Sequence, residues 1–442
     1  MDIDATLLSR IQFGFVVTFH IIFPSFTIGL AAWLATIEGM RLATGEQLYR
    51  RLFDFWLKVF ALSFGMGVVS GIVMAFQFGS NWSVLSLRTG PIQGPLLGYE
   101  AFTAFLLEAT FFGVVMFGRD RAPPWFYFFS CCMVSLGTMF SSFWILCNNS
   151  WMQVPLGHAM VGDRFVPTDW AAIALGPIVR VRWPHMLLGA FCTTALCVAS
   201  TGAFYLLRGE WRQEGRAMLH WGLGLLAVLV PAQMMFGHWT GDYVHKHQPA
   251  KFAAIEARWQ TEQPASEVLI AWPDETAQTN RFAISIPSLG SYIATGTWNS
   301  REVGLETFRP EDRPPVAITF FTFRIMVGLG LIMLAIAWLG VVISMLGRLD
   351  SSRLFLRLTF ISFPAGFVAV IAGWFTAEIG RQPWVVYGLL RTREAVTPSL
   401  STADVAVSLF LYVLVYGVVY ALGVWYLYRL SGGGFRKVEA DR

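Results

Sequence analysis

Runs of about 20 apolar residues, separated by charged segments, recur along the whole chain. Each run is long enough to cross about 30 Å of hydrocarbon as a helix that rises about 1.5 Å per residue. With 55% hydrophobic and only 14% charged residues, the chain lies outside the range of an ordinary soluble domain. We predict an all-α polytopic membrane protein of about nine transmembrane helices, over residues 13–37, 55–78, 97–118, 125–147, 184–207, 218–237, 318–346, 359–378 and 405–430.

The connection between the sixth and seventh helices is much longer than the others. The chain therefore divides into helices 1–6 over 1–237, an extracytoplasmic loop over 238–317, and helices 7–9 with a cytoplasmic tail over 318–442. The loop is polar and mixed in charge, which on its own indicates a solvated surface segment. Its first part, HKHQPAKFAAIEARWQ, predicts a helix that places Lys251 five residues before Glu256.

Basic residues concentrate in alternate loops, and this asymmetry predicts the orientation. An odd number of helices puts the termini on opposite sides, so we expect the N-terminus outside and the C-terminus in the cytoplasm. The net charge of +4 comes mostly from these arginines and indicates no nucleic-acid partner. The residues predicted to be cytoplasmic are Arg41, Arg50, Arg51, Arg119, Arg121, Arg208, Arg212, Arg216, Arg348, Arg353, Arg357, Arg436 and Lys437.

The cysteines all lie within the apolar runs. Their odd number, five, and the absence of a CxxCH sequence argue against a disulfide framework and against covalently attached haem. They are expected to be small core residues. The five are Cys131, Cys132, Cys147, Cys192 and Cys197.

Two acidic residues lie in the third apolar run, GYEAFTAFLLEATFFG. A charged group at membrane depth costs a few kcal/mol, about 3 at the bilayer centre, so it indicates a function unless it reaches the interface. In a regular helix Glu100 and Glu108 are two turns apart, about 12 Å along the axis and about 80° around it. This spacing indicates a proton path, although Glu100 is near enough to the end of the run to be interfacial.

Histidine and methionine residues supply candidate metal ligands. His185 begins the fifth run and Met326 lies near the same end of the seventh, and a His–Met pair from two helices is typical of a low-spin haem. Arg324, two residues before Met326, is a natural partner for a haem propionate. His20 precedes Pro24, where a distorted helix lets a ring reach a cavity.

The segment GWFTAEIGRQPW closes the eighth run with three candidate residues on one helix face. Trp374 and Glu378 are four residues apart, and Arg381 follows three residues later. One interpretation is an interfacial ion pair. The other is a carboxylate held against a metal or a haem iron, which explains better why the glutamate lies so deep.

Four other classes of membrane protein fit less well. Haem-copper oxidases need a cluster of further histidines, and the cytochrome b of bc complexes needs two histidines about fourteen residues apart on each of two helices; neither pattern is present. A haem b subunit that only passes electrons on leaves His20, Glu100 and Glu378 unexplained. A secondary transporter explains buried acids, but the sequence has no internal repeat.

Taken together, GYEAFTAFLLEATFFG, KFAAIEARW, FRIMVGLG and GWFTAEIGRQPW resemble subunit I of the cytochrome bd family of quinol oxidases. The resemblance covers nearly the whole chain in the same order, and GRQPW together with FRIMVGLG is highly specific. It implies a nine-helix subunit with an outward N-terminus, in the cytoplasmic (inner) membrane of a bacterium. The loop resembles the short type, whose members include oxidases relatively insensitive to cyanide.

The resemblance also implies residue roles. His185 and Met326 match the axial ligands of the low-spin haem b, while His20 and Glu378 match ligands of a high-spin pair, with Glu100 at the same pair. Glu108 matches a carboxylate for proton delivery, and Lys251 and Glu256 match loop residues for quinol oxidation. Arg324 and Arg381 match arginines near haem propionates, and Trp374 is expected beside the cofactor.

The cofactors implied are low-spin haem b, high-spin haem b, and either haem d or a third haem b. The substrates implied are ubiquinol or menaquinol together with O2. The partners implied are a homologous membrane subunit II and small single-span accessory subunits, all within the lipid bilayer.

Overall fold

The computed structural model describes residues 4–435. Nine helical segments in this part of the chain are long and apolar enough to cross a membrane, which confirms the predicted number. Arg436 and Lys437, predicted to be cytoplasmic, lie outside the described residues. The helices are α1 (Ala5–Ile22), α2 (Pro24–Thr44), α3 (Gln47–Ser80), α4 (Ser83–Tyr99), α5 (Leu106–Phe117), α6 (Pro124–Gln153), α7 (Trp170–Ala174), α8 (Pro177–Arg208), α9 (Arg212–His247), α10 (Pro249–Ile255), α11 (Leu289–Thr295), α12 (Val316–Met345), α13 (Arg353–Ile361), α14 (Ala365–Ile379) and α15 (Thr402–Gly433).

Three of the spans contain a break in the regular helix within their predicted apolar run. Helices α1 and α2 form one span that is interrupted at Phe23, immediately before Pro24. Helices α4 and α5 are joined by a π-helical segment, Glu100–Phe105, and α4 contains two prolines. The third break separates α13 from α14. Proline removes a backbone donor and distorts a helix, and π-helical turns often occur at functional sites.

Small residues allow the central helices to approach closely. A Cβ added at Gly222 of α9 would lie 2.6 Å from the Ala195 carbonyl oxygen of α8, and one at Gly202 of α8 would lie 2.5 Å from the Gly215 carbonyl oxygen of α9. Such contacts favour helix association within membranes. Helix α8 is therefore the buried centre of the bundle, whereas α12 and α15 expose many large apolar side chains.

The predicted cytoplasmic arginines meet at one end of the bundle, which we call the arginine end. Arg51 of α3 pairs with Glu214 of α9 at 2.6 Å. Arg119, after α5, pairs with Glu38 of α2 at 3.3 Å. These two pairs join residues that are 163 and 81 positions apart in the sequence.

The opposite end carries the long connection, and we call it the loop end. Helix α9 continues to His247, beyond the predicted limit of 237, so the connection between α9 and α12 covers residues 248–315. It contains α10, α11 and the antiparallel hairpin of β3 (Glu267–Asp274) and β4 (Thr279–Ile286). Side chains of α10, β3 and α12 form a common apolar cluster, so the loop is folded onto the bundle.

Two small antiparallel hairpins lie outside this loop. They are β1 (His158–Val161) with β2 (Arg164–Pro167), and β5 (Trp384–Val386) with β6 (Leu390–Arg391). All five cysteines are unpaired, as predicted, and four of them are buried.

Candidate functional site

A cavity of about 1630 Å³ runs through the interior of the bundle. Pockets for a single small molecule usually have about 300–1,000 Å³, so this cavity has room for several large groups. Every candidate residue from the sequence contributes to its wall. These residues are His20, Glu100, Glu108, His185, Lys251, Glu256, Arg324, Met326, Trp374, Glu378 and Arg381.

His185 of α8 has one ring nitrogen fixed by the neighbouring helix. Its Nδ1 lies 3.3 Å from the Gln233 carbonyl oxygen of α9, which can only accept a hydrogen bond. Nδ1 therefore carries the proton, and Nε2 keeps its lone pair for a metal. Gly237 allows α9 to approach, since a Cβ there would lie 3.1 Å from the His185 ring.

Met326 of α12 lies against a glycine of α14. A Cβ added at Gly373 would be only 2.8 Å from the Met326 sulfur, so a larger residue would displace the thioether. Trp374, the next residue, also lines the cavity. The absence of a side chain at 373 therefore leaves space for the sulfur beside the cavity.

His20 is held in the same manner as His185. Its Nδ1 lies 3.0 Å from the Ser70 hydroxyl of α3, and that hydroxyl donates to the Met66 carbonyl oxygen at 2.9 Å. Since the Ser70 proton is used there, the hydroxyl accepts from Nδ1–H and leaves Nε2 of His20 free. A Cβ added at Gly71 would lie 3.1 Å from the ring, so α3 also shapes this position.

Glu378 lies at the loop end of the cavity within a network of donors. Its Oε1 accepts from Asn149 Nδ2 at 2.9 Å and from Gln153 Nε2 at 3.0 Å, both on α6. Its Oε2 pairs with Arg381. Both oxygens therefore have partners, and the carboxylate is fixed in position.

Positive charge exceeds negative charge around Glu378. Arg182 of α8 donates to Asn149 Oδ1 at 2.7 Å, and Lys251 donates to the Ala377 carbonyl oxygen at 2.9 Å. Burial, and then the charge of Arg182, lower the pKa of Lys251 to about 7. Two nitrogens of Arg381, Nε and Nη1, are buried without a partner. These unpaired donors fit an anionic group such as a haem propionate.

Arg324 joins the loop to α12. Its Nη2 donates to Glu256 at 2.8 Å and to Glu267 at 3.0 Å, and its Nε donates to the Val268 carbonyl oxygen at 3.0 Å. Burial, and then the neighbouring charge of Glu256, raise the pKa of Glu267 to about 8. The arginine that was predicted to face a propionate thus also holds two loop carboxyl groups.

The acid pair of the third span lies along the cavity wall between α4, α5 and α6. Glu100 begins the π-helical segment and accepts from the Ser141 hydroxyl at 2.7 Å. Glu108 is 5% exposed, and its Oε1 has no partner. The space for it comes from Gly137, where a Cβ would lie 2.5 Å from Glu108 Cγ. Because the π-helical turns change the rotation, the 80° offset expected of a regular helix does not apply.

Sequence reasoning missed several residues that position the predicted ones. Asn149 and Gln153 are four residues apart at the end of an apolar run, a spacing that places both on one helix face and was available as a signal. Arg182, three residues before His185, was another available signal. Ser70 and Glu267 had none, because a serine in a helix and a glutamate in a polar loop are common.

The donor set fits iron porphyrin groups. Among residues 4–435 no group of three or more His, Cys, Asp or Glu side chains is arranged to hold a bare metal ion. The candidate ligands are instead spread along the cavity wall, and each has few other possible ligand side chains near it. One or two axial ligands are what an iron needs when a porphyrin already supplies its other ligands.

These features define a class, that of multi-pass helical membrane proteins with an interior cavity for redox groups. The family model described as "Cytochrome bd terminal oxidase subunit I" matches residues 8–435. The chain belongs to this family, and it is a multi-pass protein of the cytoplasmic membrane.

Relatives agree along almost the whole chain. The cytochrome bd ubiquinol oxidase subunit 1 of Bacillus subtilis (strain 168) is 35% identical, covering 96% of this chain and 92% of the relative. The cytochrome bd-II ubiquinol oxidase subunit 1 of Escherichia coli (strain K12) is 30% identical, covering 99% and 98%. The solved structure of bd oxidase from Geobacillus thermodenitrificans superposes with a TM-score of 0.89 at 26% identity, covering 97% of this chain and 98% of that chain.

Proposed function

We propose that this chain is the quinol-oxidising, oxygen-reducing subunit of a respiratory terminal oxidase. The observation that carries the proposal is that all eleven candidate residues, from seven separate parts of the fold, line one continuous cavity. Two relatives are named ubiquinol oxidases and one of 27% identity is named a putative menaquinol oxidase, so both quinols are candidate substrates.

The candidate ligands would hold three haems. His185 and Met326 would bind a low-spin haem b, and His20 and Glu378 would bind the high-spin pair, a haem b with a haem d or a third haem b, with Glu100 beside them. The chemistry that these groups supply when bound is electron transfer from the quinol to oxygen. The unpaired nitrogens of Arg381 support a propionate there.

The other cavity residues bind the quinol or handle protons. At the loop end, Lys251 and Glu256 would bind a quinol head group beneath the loop, while Trp374, on the same cavity wall, would lie beside the haem. In the third span, Glu108 receives protons from the arginine end and passes them to Glu100, which lies further from that end. An unpartnered carboxyl oxygen supports a group that changes protonation, since no fixed partner opposes either state.

The orientation of the protein in the membrane determines on which side protons are taken up and released. We propose that the arginine end faces the cytoplasm and the N-terminus faces outward, in accordance with the excess of basic residues at that end. Protons are then consumed from the cytoplasm and released outside at the loop end. Turnover generates a membrane potential without a pump.

The apolar faces of α12 and α15 are proposed to meet lipid and a second membrane subunit. Both helices expose long rows of large apolar side chains. A subunit II, and small single-span accessory subunits, would cover part of these faces within the bilayer.

The test is optical. A reduced-minus-oxidised spectrum of the purified complex, with pyridine haemochrome analysis and with and without carbon monoxide, should contain a low-spin b band and a high-spin signal that shifts with carbon monoxide. A red-shifted chlorin band would identify haem d, and its absence would identify haem b. A single low-spin haem that ignores carbon monoxide would instead indicate a subunit that only passes electrons on.

A further inference from the structure

Glu267 lies beside Glu256 but has no role in the function proposed above. It begins β3, it is 8% exposed, and it lines the interior cavity together with Glu256 and Arg324. Both carboxyl groups approach the same arginine nitrogen, at 2.8 Å and 3.0 Å. Two acids on one guanidinium group form a buried acidic cluster.

The local backbone holds this cluster in place. The pairing of β3 with β4 shifts register after Val268, and both Glu267 and Val268 are buried instead of alternating. Such β-bulges re-aim side chains and are common beside active sites. On the other side, Glu256 directly follows α10, and Ala257 has a φ of 47°, which is unusual for a residue other than glycine. Asn280 of β4 donates to the Ala257 carbonyl oxygen at 2.8 Å and fixes this turn.

We infer that Glu267 is the second carboxyl of a proton-accepting pair with Glu256, and that this pair receives the protons that the quinol releases on oxidation. The inference rests on the proposed function. When one quinol becomes a quinone, two O–H bonds break and two electrons leave for oxygen, the terminal oxidant. The two protons pass to the carboxyl pair and from there to water at the loop end.

The charges around Glu267 explain why the pair accepts and releases protons readily. Glu256, Arg324 and Arg258 are the charged groups that act on it. Burial, and then the charge of Glu256, outweigh the two arginines and raise the pKa of Glu267, so Glu267 carries a proton at neutral pH. Above the pKa of Glu267, about 8, the Glu267 carboxyl is ionised and adds a second proton acceptor to the pair.

The test compares pH profiles of quinol oxidation in the intact purified complex. Oxygen uptake with a short-chain ubiquinol is measured from about pH 6 to about pH 9 for wild type, Glu267→Gln, Glu267→Asp and the control Glu262→Gln. Glu262 lies in the same loop but not on the cavity wall. Relative to Glu267→Gln, kcat of the wild type should rise about tenfold between about pH 7 and about pH 9, because the glutamine cannot ionise. Glu267→Asp and the control should keep the rise, and KM should change little in all variants.

A second measurement does not depend on turnover. The infrared spectrum of the wild type should contain a protonated-carboxyl band that disappears with a midpoint near pH 8, and Glu267→Gln should lack that band. If the complexes oxidise quinol but the pH profiles of wild type and Glu267→Gln are parallel and the band is unchanged, the role of Glu267 is overturned. The proposed function is then unaffected. A wild-type complex that consumes no oxygen with quinol would overturn the proposed function and this inference with it.

Discussion

Two carboxyl groups on the same cavity wall have opposite surroundings. Glu378, at the loop end, has three donors on its two oxygens, with Arg182 and Lys251 close by. Glu108, between α5 and α6, has an oxygen without any partner. A buried carboxylate with hydrogen-bond donors on both oxygens keeps its charge and position, whereas one with an unpartnered oxygen can exchange a proton at lower cost. We call the region around Glu378 the fixed end of the cavity and the region around Glu108 the adjustable end, because Glu108 can change its protonation state more easily.

The largest effect is expected from breaking the fixed end. Glu378→Ala removes the carboxylate that lies among Arg381, Arg182 and Lys251, so these buried cations lose its compensation. Removing one partner of a buried ion pair costs about 3–5 kcal/mol, so the thermal unfolding midpoint in detergent should fall clearly and a high-spin haem signal should disappear.

The matched control for Glu378→Ala is Glu210→Ala. Glu210 also pairs with an arginine, Arg208, but at the surface, where 36% of its side chain is exposed. Surface pairs contribute about 0–1 kcal/mol, so this variant should unfold at nearly the wild-type temperature. Equal midpoints for the two variants would show that the Glu378 network does not stabilise the fold.

A selective loss of one haem is expected at Met326. Met326→Leu retains the apolar volume but removes the sulfur, so the low-spin band should vanish while the high-spin signals persist. Met345→Leu, at the exposed end of α12, should leave the spectrum unchanged. An intact low-spin band in Met326→Leu would rule out Met326 as the ligand of the low-spin haem. The comparison would then lack Met326 as a ligand beside Glu378.

At the adjustable end, the expected loss is in rate and not in structure. Glu108→Gln preserves shape but cannot carry a proton, so turnover with quinol and with an artificial donor should both fall about a hundredfold. The unfolding temperature and the haem spectrum should stay as in the wild type, because no hydrogen bond to Oε1 is lost. A large fall in stability with normal turnover would reverse the roles assigned to Glu108 and Glu378.

The contrast between these two ends was only partly predictable from the sequence. The nine spans were predictable because the cost of exposing polar groups to lipid requires long apolar runs. The end of α9 at His247 was not predictable in this way, because polar residues continue the helix outside the hydrocarbon. Likewise, Glu378 was recognisable as a candidate site residue because it lies deep in an apolar run. Its partner Asn149 comes from another helix, 229 positions away in the sequence, and only folding brings the two together.

The smallest effect is expected at the loop, where two carboxyl groups share one task. Glu256→Ala should slow quinol oxidation by about tenfold, less than the full contribution of a positioned base, because Glu267 remains on Arg324 and still accepts a proton. Oxygen reduction with an artificial electron donor should be unaffected, since Glu256 is proposed to act on the quinol alone. Glu262→Ala serves as the control within the same loop. If activity with the quinol and activity with the artificial donor fell equally, Glu256 would be acting on the interior of the bundle. The loop end would then have to be regarded as part of the oxygen site.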